Sequence, residues 1–118
     1  MATTTQSRKS KGRRLQQFVR DTILELFPVL TERDVSSTPM GVSGEDVQLS
    51  ELASNLFPYS VECKNQEKLN IWKALEEAEG NNRELTPILV FKRNRSKVYC
   101  CIGFDDFIKL ISKHENPN

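Results

Sequence analysis

Apolar residues recur at steps of three and four in three long segments, which is the spacing of one face of an α-helix. These segments cover residues 11–27, 66–79 and 106–113, and Pro28 closes the first of them. Each segment carries polar residues on its other positions, so the pattern predicts three amphipathic helices.

A shorter helix is predicted over residues 50–57, with Ser50 as its N-cap. In the 66–79 helix we expect Trp72 to anchor the helix on the core. In the last helix we expect the apolar residues to turn inward. These residues are Phe107, Ile108, Leu110 and Ile111.

Short apolar or alternating runs, bounded by Gly, Pro and polar clusters, predict five strands. They cover residues 34–37, 45–49, 59–65, 87–91 and 97–102, and the last two form a hairpin. Helices and strands are interleaved along the chain, which favours an α/β fold, a mixed central sheet flanked by helices.

Candidate chemistry lies on two of the predicted strands. Glu62 and Lys64 point to one side of their strand while Cys63 points to the other, because side chains alternate in a strand. If the strand of Asp46 lies alongside, two carboxylates and one ammonium converge. Mg²⁺ takes one or two carboxylates and keeps several waters, and Lys64 would orient or deprotonate a water there. The alternative is a surface ion pair between Glu62 and Lys64, which would leave Asp46 unexplained.

Asp46 followed by Glu62-Cys63-Lys64 resembles the PD-(D/E)XK nuclease signature in its D…ExK form. The chain is similar to archaeal-type Holliday junction resolvases and to small phage-encoded endonucleases of that superfamily. The resemblance covers roughly residues 12–111 and implies a restriction-endonuclease-like core of order αβββαβ.

The resemblance also implies a metal-dependent DNA endonuclease that uses Mg²⁺ or Mn²⁺. Asp46, Glu62 and the backbone carbonyl of Cys63 would be the metal ligands, and Asp46, Glu62 and Lys64 the catalytic set. Members of the family often add an acid from the first helix. Gln16 stands near that position here and Glu25 is the alternative, and the sequence does not choose between them.

A resolvase-like enzyme would act on branched, Holliday-junction-like DNA as a homodimer, since a symmetrical junction needs two paired cuts. Two alternatives stay open. One is a duplex-cutting phage or homing-type endonuclease. The other is a catalytically inactive DNA-binding module of the same fold, which the amide at Gln16 favours.

The net charge of +1 hides an uneven distribution. Six of the 17 basic residues lie in the first twenty positions, which hold no acid, so the rest of the chain has 11 basic residues against 16 acidic ones. A second basic cluster occupies the predicted hairpin tip. Such clusters neutralise phosphates, although solvated charge alone explains them as well. The expected DNA contacts are Lys11, Arg13, Arg14, Lys92, Arg93, Arg95 and Lys97.

Length and composition limit the remaining choices. A chain of 118 residues suits one domain over residues 11–113, between a flexible basic arm at 1–10 and a tail at 114–118. No apolar run approaches the ~20 residues that span a bilayer, and the N-terminus lacks the apolar segment of a signal peptide. The three cysteines form no disulfide framework. We therefore expect an intracellular, cytoplasmic protein that does not bind membranes.

Overall fold

Four helices and five strands are interleaved along the described part of the chain, as the sequence pattern predicts. The computed structural model describes residues 5–39 and 41–116. The elements are α1 (Thr5–Leu26), β1 (Val35–Ser37), β2 (Val47–Leu49), α2 (Glu51–Leu56), β3 (Tyr59–Asn65), α3 (Ile71–Asn81), β4 (Thr86–Lys92), β5 (Tyr99–Ile102) and α4 (Phe104–Glu115). This order confirms the α/β class and is compatible with the αβββαβ core.

The strands form two sheets. β3 pairs in parallel with β4, and β4 pairs antiparallel with β5, so the larger sheet is mixed and the predicted hairpin is confirmed. β1 and β2 form a separate antiparallel ribbon. The ribbon reaches the edge of β3 through a hydrogen bond from the Asp46 N–H to the Val61 carbonyl, 2.9 Å long.

Helices cover both faces of the larger sheet. On one face, α1 contributes Leu15, Val19 and Ile23 to a buried core that includes Val61 and Cys63 of β3. On the other face, α3 packs against β3 and β4. Because successive β3 side chains alternate, Glu62 and Lys64 face α3.

Side-chain caps explain where α2 and α3 begin. The Ser50 hydroxyl accepts a hydrogen bond from the Ala53 N–H, which confirms the predicted N-cap. α3 begins at Ile71 rather than at residue 66, because the Asn70 side chain caps it by accepting from the Lys73 N–H. The residues before Asn70 form a loop at the carboxyl end of β3.

The terminal boundaries differ from the expected ones. α1 already begins at Thr5, so residues 5–10 of the predicted flexible arm are helical; residues 1–4 lie outside the described residues. α4 continues to Glu115 and so includes the first two residues of the predicted tail, whose last two lie outside the described part. No helix in the described ranges is both long enough and apolar enough to cross a membrane.

The prediction that Trp72 anchors the core is wrong, since its side chain is 77% exposed. The residues of α3 that pack inward are Ala74 and Ala78, which are buried. Trp72 lies two positions before Ala74, about 200° around a helix of 3.6 residues per turn, and therefore points to solvent.

The expected inward face of α4 is also wrong. None of its residues is buried, and its apolar side chains are 42–75% exposed. α4 follows β5, the edge strand of the sheet, after the single residue Gly103, and makes no extensive contact with another element in the described structure. The exposed set is Phe104, Phe107, Ile108, Leu110 and Ile111.

Candidate active site

Asp46 lies against the open edge of β3. Its Oδ2 accepts a hydrogen bond of 2.7 Å from the backbone N–H of Cys63, and its own N–H donates to Val61. Gly44, two residues earlier, has a φ of +105°, a conformation that residues with a Cβ avoid. The loop before β2 can therefore turn and set the Asp46 carboxylate beside β3.

Cys63 contributes its backbone to this edge and its side chain to the core. The thiol is buried with the α1 residues, on the face opposite to Glu62 and Lys64. In a strand, the N–H and C=O of one residue point to the same side. Because the Cys63 N–H points to Asp46, its carbonyl oxygen faces the same edge, as the predicted ligand role requires.

Glu62 and Lys64 lie under α3 and bind two of its side chains. The Nζ of Lys64 is 2.7 Å from Oε2 of Glu77 and 3.6 Å from Oε2 of Glu62. The Nδ2 of Asn81 donates a 2.7 Å hydrogen bond to Oε1 of Glu62. Each residue of the Glu62–Lys64 pair therefore has its orientation fixed by a polar residue of the facing helix.

The two carboxylates disfavour each other's charge. Burial and the charge of Asp46 raise the pKa of Glu62 to about 6. Burial also raises the pKa of Asp46, against the hydrogen bond from Cys63 and the charge of Lys64. Such a pair is stabilised by a proton or a cation between its members.

Lys64 is a cation at neutral pH. Burial lowers its pKa, but the hydrogen bond and charge of Glu77, with the charges of Glu62 and Asp46, outweigh burial and raise the pKa above its usual value. The same contact lowers the pKa of Glu77. A raised pKa favours electrostatic stabilisation by Lys64 over deprotonation of a water.

The donor set fits a hard divalent cation that keeps its waters. Within residues 5–39 and 41–116, no group of three or more His, Cys, Asp or Glu side chains is arranged to hold a metal ion. The protein instead offers the Asp46 and Glu62 carboxylates and the Cys63 carbonyl at one strand edge. Mg²⁺ accepts such a small set of oxygen ligands, whereas a structural zinc site needs four protein ligands.

The two accessory candidates lie far apart on α1. Gln16 is buried, and its Oε1 accepts a 2.7 Å hydrogen bond from the Ser37 hydroxyl. Thr38, the residue after Ser37, donates its N–H to the Asp46 carbonyl. By holding Ser37, Gln16 therefore supports the segment beside the site. Glu25 is exposed nine residues later, about 13.5 Å further along the helix axis at 1.5 Å per residue.

The two basic clusters flank the carboxyl end of β3. The side chain of Asn65 donates to the Lys11 carbonyl at 3.3 Å, and Asn65 pairs with Lys92 across the sheet. The remaining predicted DNA contacts are exposed on the first helix and in the β4–β5 turn. They are Arg13, Arg14, Arg93, Arg95 and Lys97.

Asn81 and Ser37 are partners of site residues that the sequence pattern did not indicate. Asn81 follows Glu77 by four residues, so both lie on one face of α3. The spacing predicts that Asn81 and Glu77 share a helix face. It does not predict that this face packs over Glu62 and Lys64, which only the structure shows. Ser37 gave no comparable signal.

Comparison with known proteins adds one finding. No curated protein and no solved structure matches the chain. One family does match, over residues 7–117, which is nearly the whole chain and includes all three residues of the D…ExK motif. The chain therefore belongs to the family described as "Phage putative PDDEXK endonuclease".

Proposed function

We propose that the protein is a metal-dependent endodeoxyribonuclease that hydrolyses phosphodiester bonds with Mg²⁺ or Mn²⁺. One observation carries the proposal: the Asp46 carboxylate lies at the edge of β3 that bears Glu62 and Lys64, close enough that its charge raises the pKa of Glu62. Family membership supports the nuclease class. We propose that the enzyme acts inside a cell, on the DNA there.

In this proposal, Asp46, Glu62 and the Cys63 carbonyl hold the cation. When bound, a divalent cation polarises the scissile phosphate and lowers the pKa of a water. The Lys64 ammonium orients the attacking water and offsets the negative charge of the transition state. Glu77 and Asn81 are positioning residues, because they hold Lys64 and Glu62 in place.

The basic residues at the carboxyl end of β3 bind the DNA backbone. Lys11 and Lys92 lie on either side of Asn65, and Asn65 follows Lys64 directly. Contacts of both lysines with the DNA backbone would therefore bring a phosphate to the carboxylates. We propose branched, Holliday-junction-like DNA as the substrate, following the resolvase resemblance. Duplex DNA, cut by a phage or homing-type endonuclease, is the alternative.

We propose that the enzyme acts as a homodimer and that α4 forms the interface. The exposed apolar residues of α4 lie at steps of three, four and seven, which makes one continuous stripe. Asp105 and Asp106 lie in the first turn, and Lys113 and His114 in the last. An antiparallel second copy would place acids opposite bases at both ends.

Two observations favour a catalytically inactive DNA-binding module as the rival function. Lys64 contacts Glu77 more closely than Glu62. The first helix offers an amide, Gln16, where related nucleases often have an acid. Either feature would weaken cation binding or misplace the ammonium.

A cleavage assay decides between these functions. The substrates are linear duplex, single-stranded and four-way-junction DNA, with Mg²⁺, Mn²⁺ or EDTA. Wild type is compared with Asp46→Asn and Lys64→Ala, and with Glu45→Gln as the control next to Asp46. We expect metal-dependent cutting by wild type and Glu45→Gln only, and a preference for the junction.

Other outcomes have distinct meanings. Binding in EDTA without cutting in either metal would favour the inactive module. Equal cutting of duplex and junction would favour the duplex endonuclease. Normal cutting by Asp46→Asn and Lys64→Ala would overturn the site itself.

A further inference from the structure

A groove lies next to the candidate site, at the carboxyl ends of β3 and β4. It has a volume of about 230 Å³ and lies between the loop before α3 and the β4–β5 hairpin. Its apolar wall contains Leu69, Ile71, Phe91 and Tyr99. Pockets for drug-sized ligands occupy ~300–1,000 Å³, so this groove suits one planar ring system.

Two aromatic rings of the apolar wall, those of Phe91 and Tyr99, stack on each other. Phe91 and Tyr99 are direct partners in the β4–β5 ladder, and their rings stack with centroids 6.0 Å apart and planes 29° from parallel. The Tyr99 side chain is 53% exposed. A stacked pair with an open outer ring can take a third planar group on that ring.

The groove shares a face with the candidate catalytic lysine. Lys64 is the direct partner of Phe91 in the β3–β4 ladder, and Phe91 is the partner of Tyr99 in the next. Directly paired residues point to the same face of a sheet. The three side chains therefore form one row across three strands, about 10 Å long at ~4.8 Å per strand.

Charge around the groove favours a nucleic acid. Arg93 lines the groove, and the adjoining β4–β5 turn carries two more exposed basic residues, Arg95 and Lys97. Glu67 also lines the groove, but its Oε2 already accepts a 2.8 Å hydrogen bond from the Asn94 N–H, which ties the hairpin tip to the groove wall. The rim and the adjoining hairpin turn together are net positive and can hold the phosphates on either side of a base.

We propose that this groove binds an unpaired nucleobase of the DNA substrate, stacked on Tyr99, while the adjacent backbone runs toward Lys64. This inference rests on the proposed nuclease function and adds to it that one base of the bound DNA is unpaired or extruded from the helix. In an intact duplex the bases are stacked within the helix, and a base enters such a pocket only when it is single-stranded or extruded.

The test measures DNA binding in EDTA, so that it does not depend on cleavage. Tyr99→Leu removes the ring, and Tyr99→Phe keeps it. Phe18→Leu is the matched control, because Phe18 on α1 is 52% exposed, as much as Tyr99. Fluorescence anisotropy follows three labelled ligands: a single strand, a fully paired blunt duplex of two annealed strands, and a single strand of base-free sugar phosphates.

Tyr99→Leu should weaken single-strand binding about 5- to 150-fold, the range for loss of one stacked base. Tyr99→Phe and Phe18→Leu should stay near wild type. On the duplex and on the base-free strand, Tyr99→Leu should match wild type, because neither offers a base for stacking. An equal loss on the normal and base-free strands, or no loss on either, would overturn the groove assignment.

Failure of this inference differs from failure of the nuclease proposal. If wild type cuts no DNA in either metal but the Tyr99 pattern holds, the groove assignment stands and the enzyme assignment fails. If wild type cuts DNA but Tyr99→Leu binds every ligand normally, the nuclease stands and the groove assignment fails.

Discussion

The ammonium of Lys64 lies 2.7 Å from a carboxylate oxygen of Glu77, a residue of the facing helix. This contact is shorter than the 3.6 Å between Lys64 and Glu62, its neighbour in the D…ExK motif. It raises the pKa of Lys64 against the opposing effect of burial and lowers that of Glu77. The rise in the pKa of Lys64 is therefore due largely to Glu77 of α3.

Glu77→Gln should move the alkaline limb of the pH–activity profile to lower pH. The amide can still accept a hydrogen bond from Lys64, but without the negative charge the Lys64 pKa falls. The control is Glu76→Gln, an exposed acid one position earlier. Profiles of kcat/KM in Mg²⁺ are the measurement, and an unmoved limb in Glu77→Gln would show that Lys64 does not govern it.

Glu62→Gln should stabilise the metal-free protein at pH 8. The folded pKa of Glu62 is raised from 4.5 to about 6, so its protonation favours folding. That contribution is fully present below about pH 4.5 and is lost as the pH rises through about 6. Removing the charge should then add about 1–2 kcal/mol at pH 8 and little at pH 4.5, given 1.36 kcal/mol per pKa unit.

Urea unfolding in EDTA at several pH values measures this difference, with the exposed Glu84→Gln as the control. Mg²⁺ should stabilise wild type and not Glu62→Gln, because the variant lacks one of the two carboxylates. A stability difference that stays constant from pH 4.5 to pH 8 would contradict the repulsion between Asp46 and Glu62.

Gln16→Ala should raise the Mg²⁺ concentration needed for half-maximal activity, whereas Glu25→Ala should leave it unchanged. The Gln16 amide supports Ser37, and the next residue, Thr38, donates a hydrogen bond to the Asp46 carbonyl. Its loss leaves a part-buried hydroxyl without its acceptor, which costs about 1–3 kcal/mol of stability. Metal titrations and unfolding curves test both effects, and the reverse ranking would assign the accessory role to Glu25.

The sequence predicted an element well where its bounds depend on a single local rule, such as side-chain alternation or capping. Strand β3 has the predicted bounds of residues 59–65, because alternation and Pro58 define it. The opposite faces of Cys63 and Lys64 follow from the same alternation. Ser50 was predictable as a cap because capping depends on neighbouring residues only.

Features that depend on tertiary contacts were not predictable. The inward face of α3 is marked by Ala74 and Ala78, small residues that allow close packing, and not by Trp72. Periodicity shows that α4 has an apolar face, but not whether this chain or another one covers it. The contact of Glu77 with Lys64 depends on how α3 lies over β3, which no local pattern encodes.

Ile108→Ser should weaken self-association about 10- to 100-fold. Each chain loses an apolar side chain that is 47% exposed in the monomer, and both copies of it are lost in the dimer. Lys109→Ser is the control, because Lys109 lies on the polar side of α4. Sedimentation velocity over a concentration series measures the constant, and a wild type that stays monomeric throughout would exclude the α4 dimer.

Charge exchange on α4 should reveal how the two copies are oriented. Asp106 and Lys113 are seven residues apart and so lie along the same edge of the apolar stripe. In an antiparallel pair Asp106 faces the other copy's Lys113, so Asp106→Lys should weaken the dimer, and the combination with Lys113→Asp should restore it. In a parallel pair, each residue faces the same residue of the other copy. Like charges then face each other in wild type and in both variants, so neither the single nor the double substitution alters the affinity. Sedimentation at low salt, where surface charges are least screened, separates the two arrangements, and insensitivity to Asp106→Lys would exclude the antiparallel one.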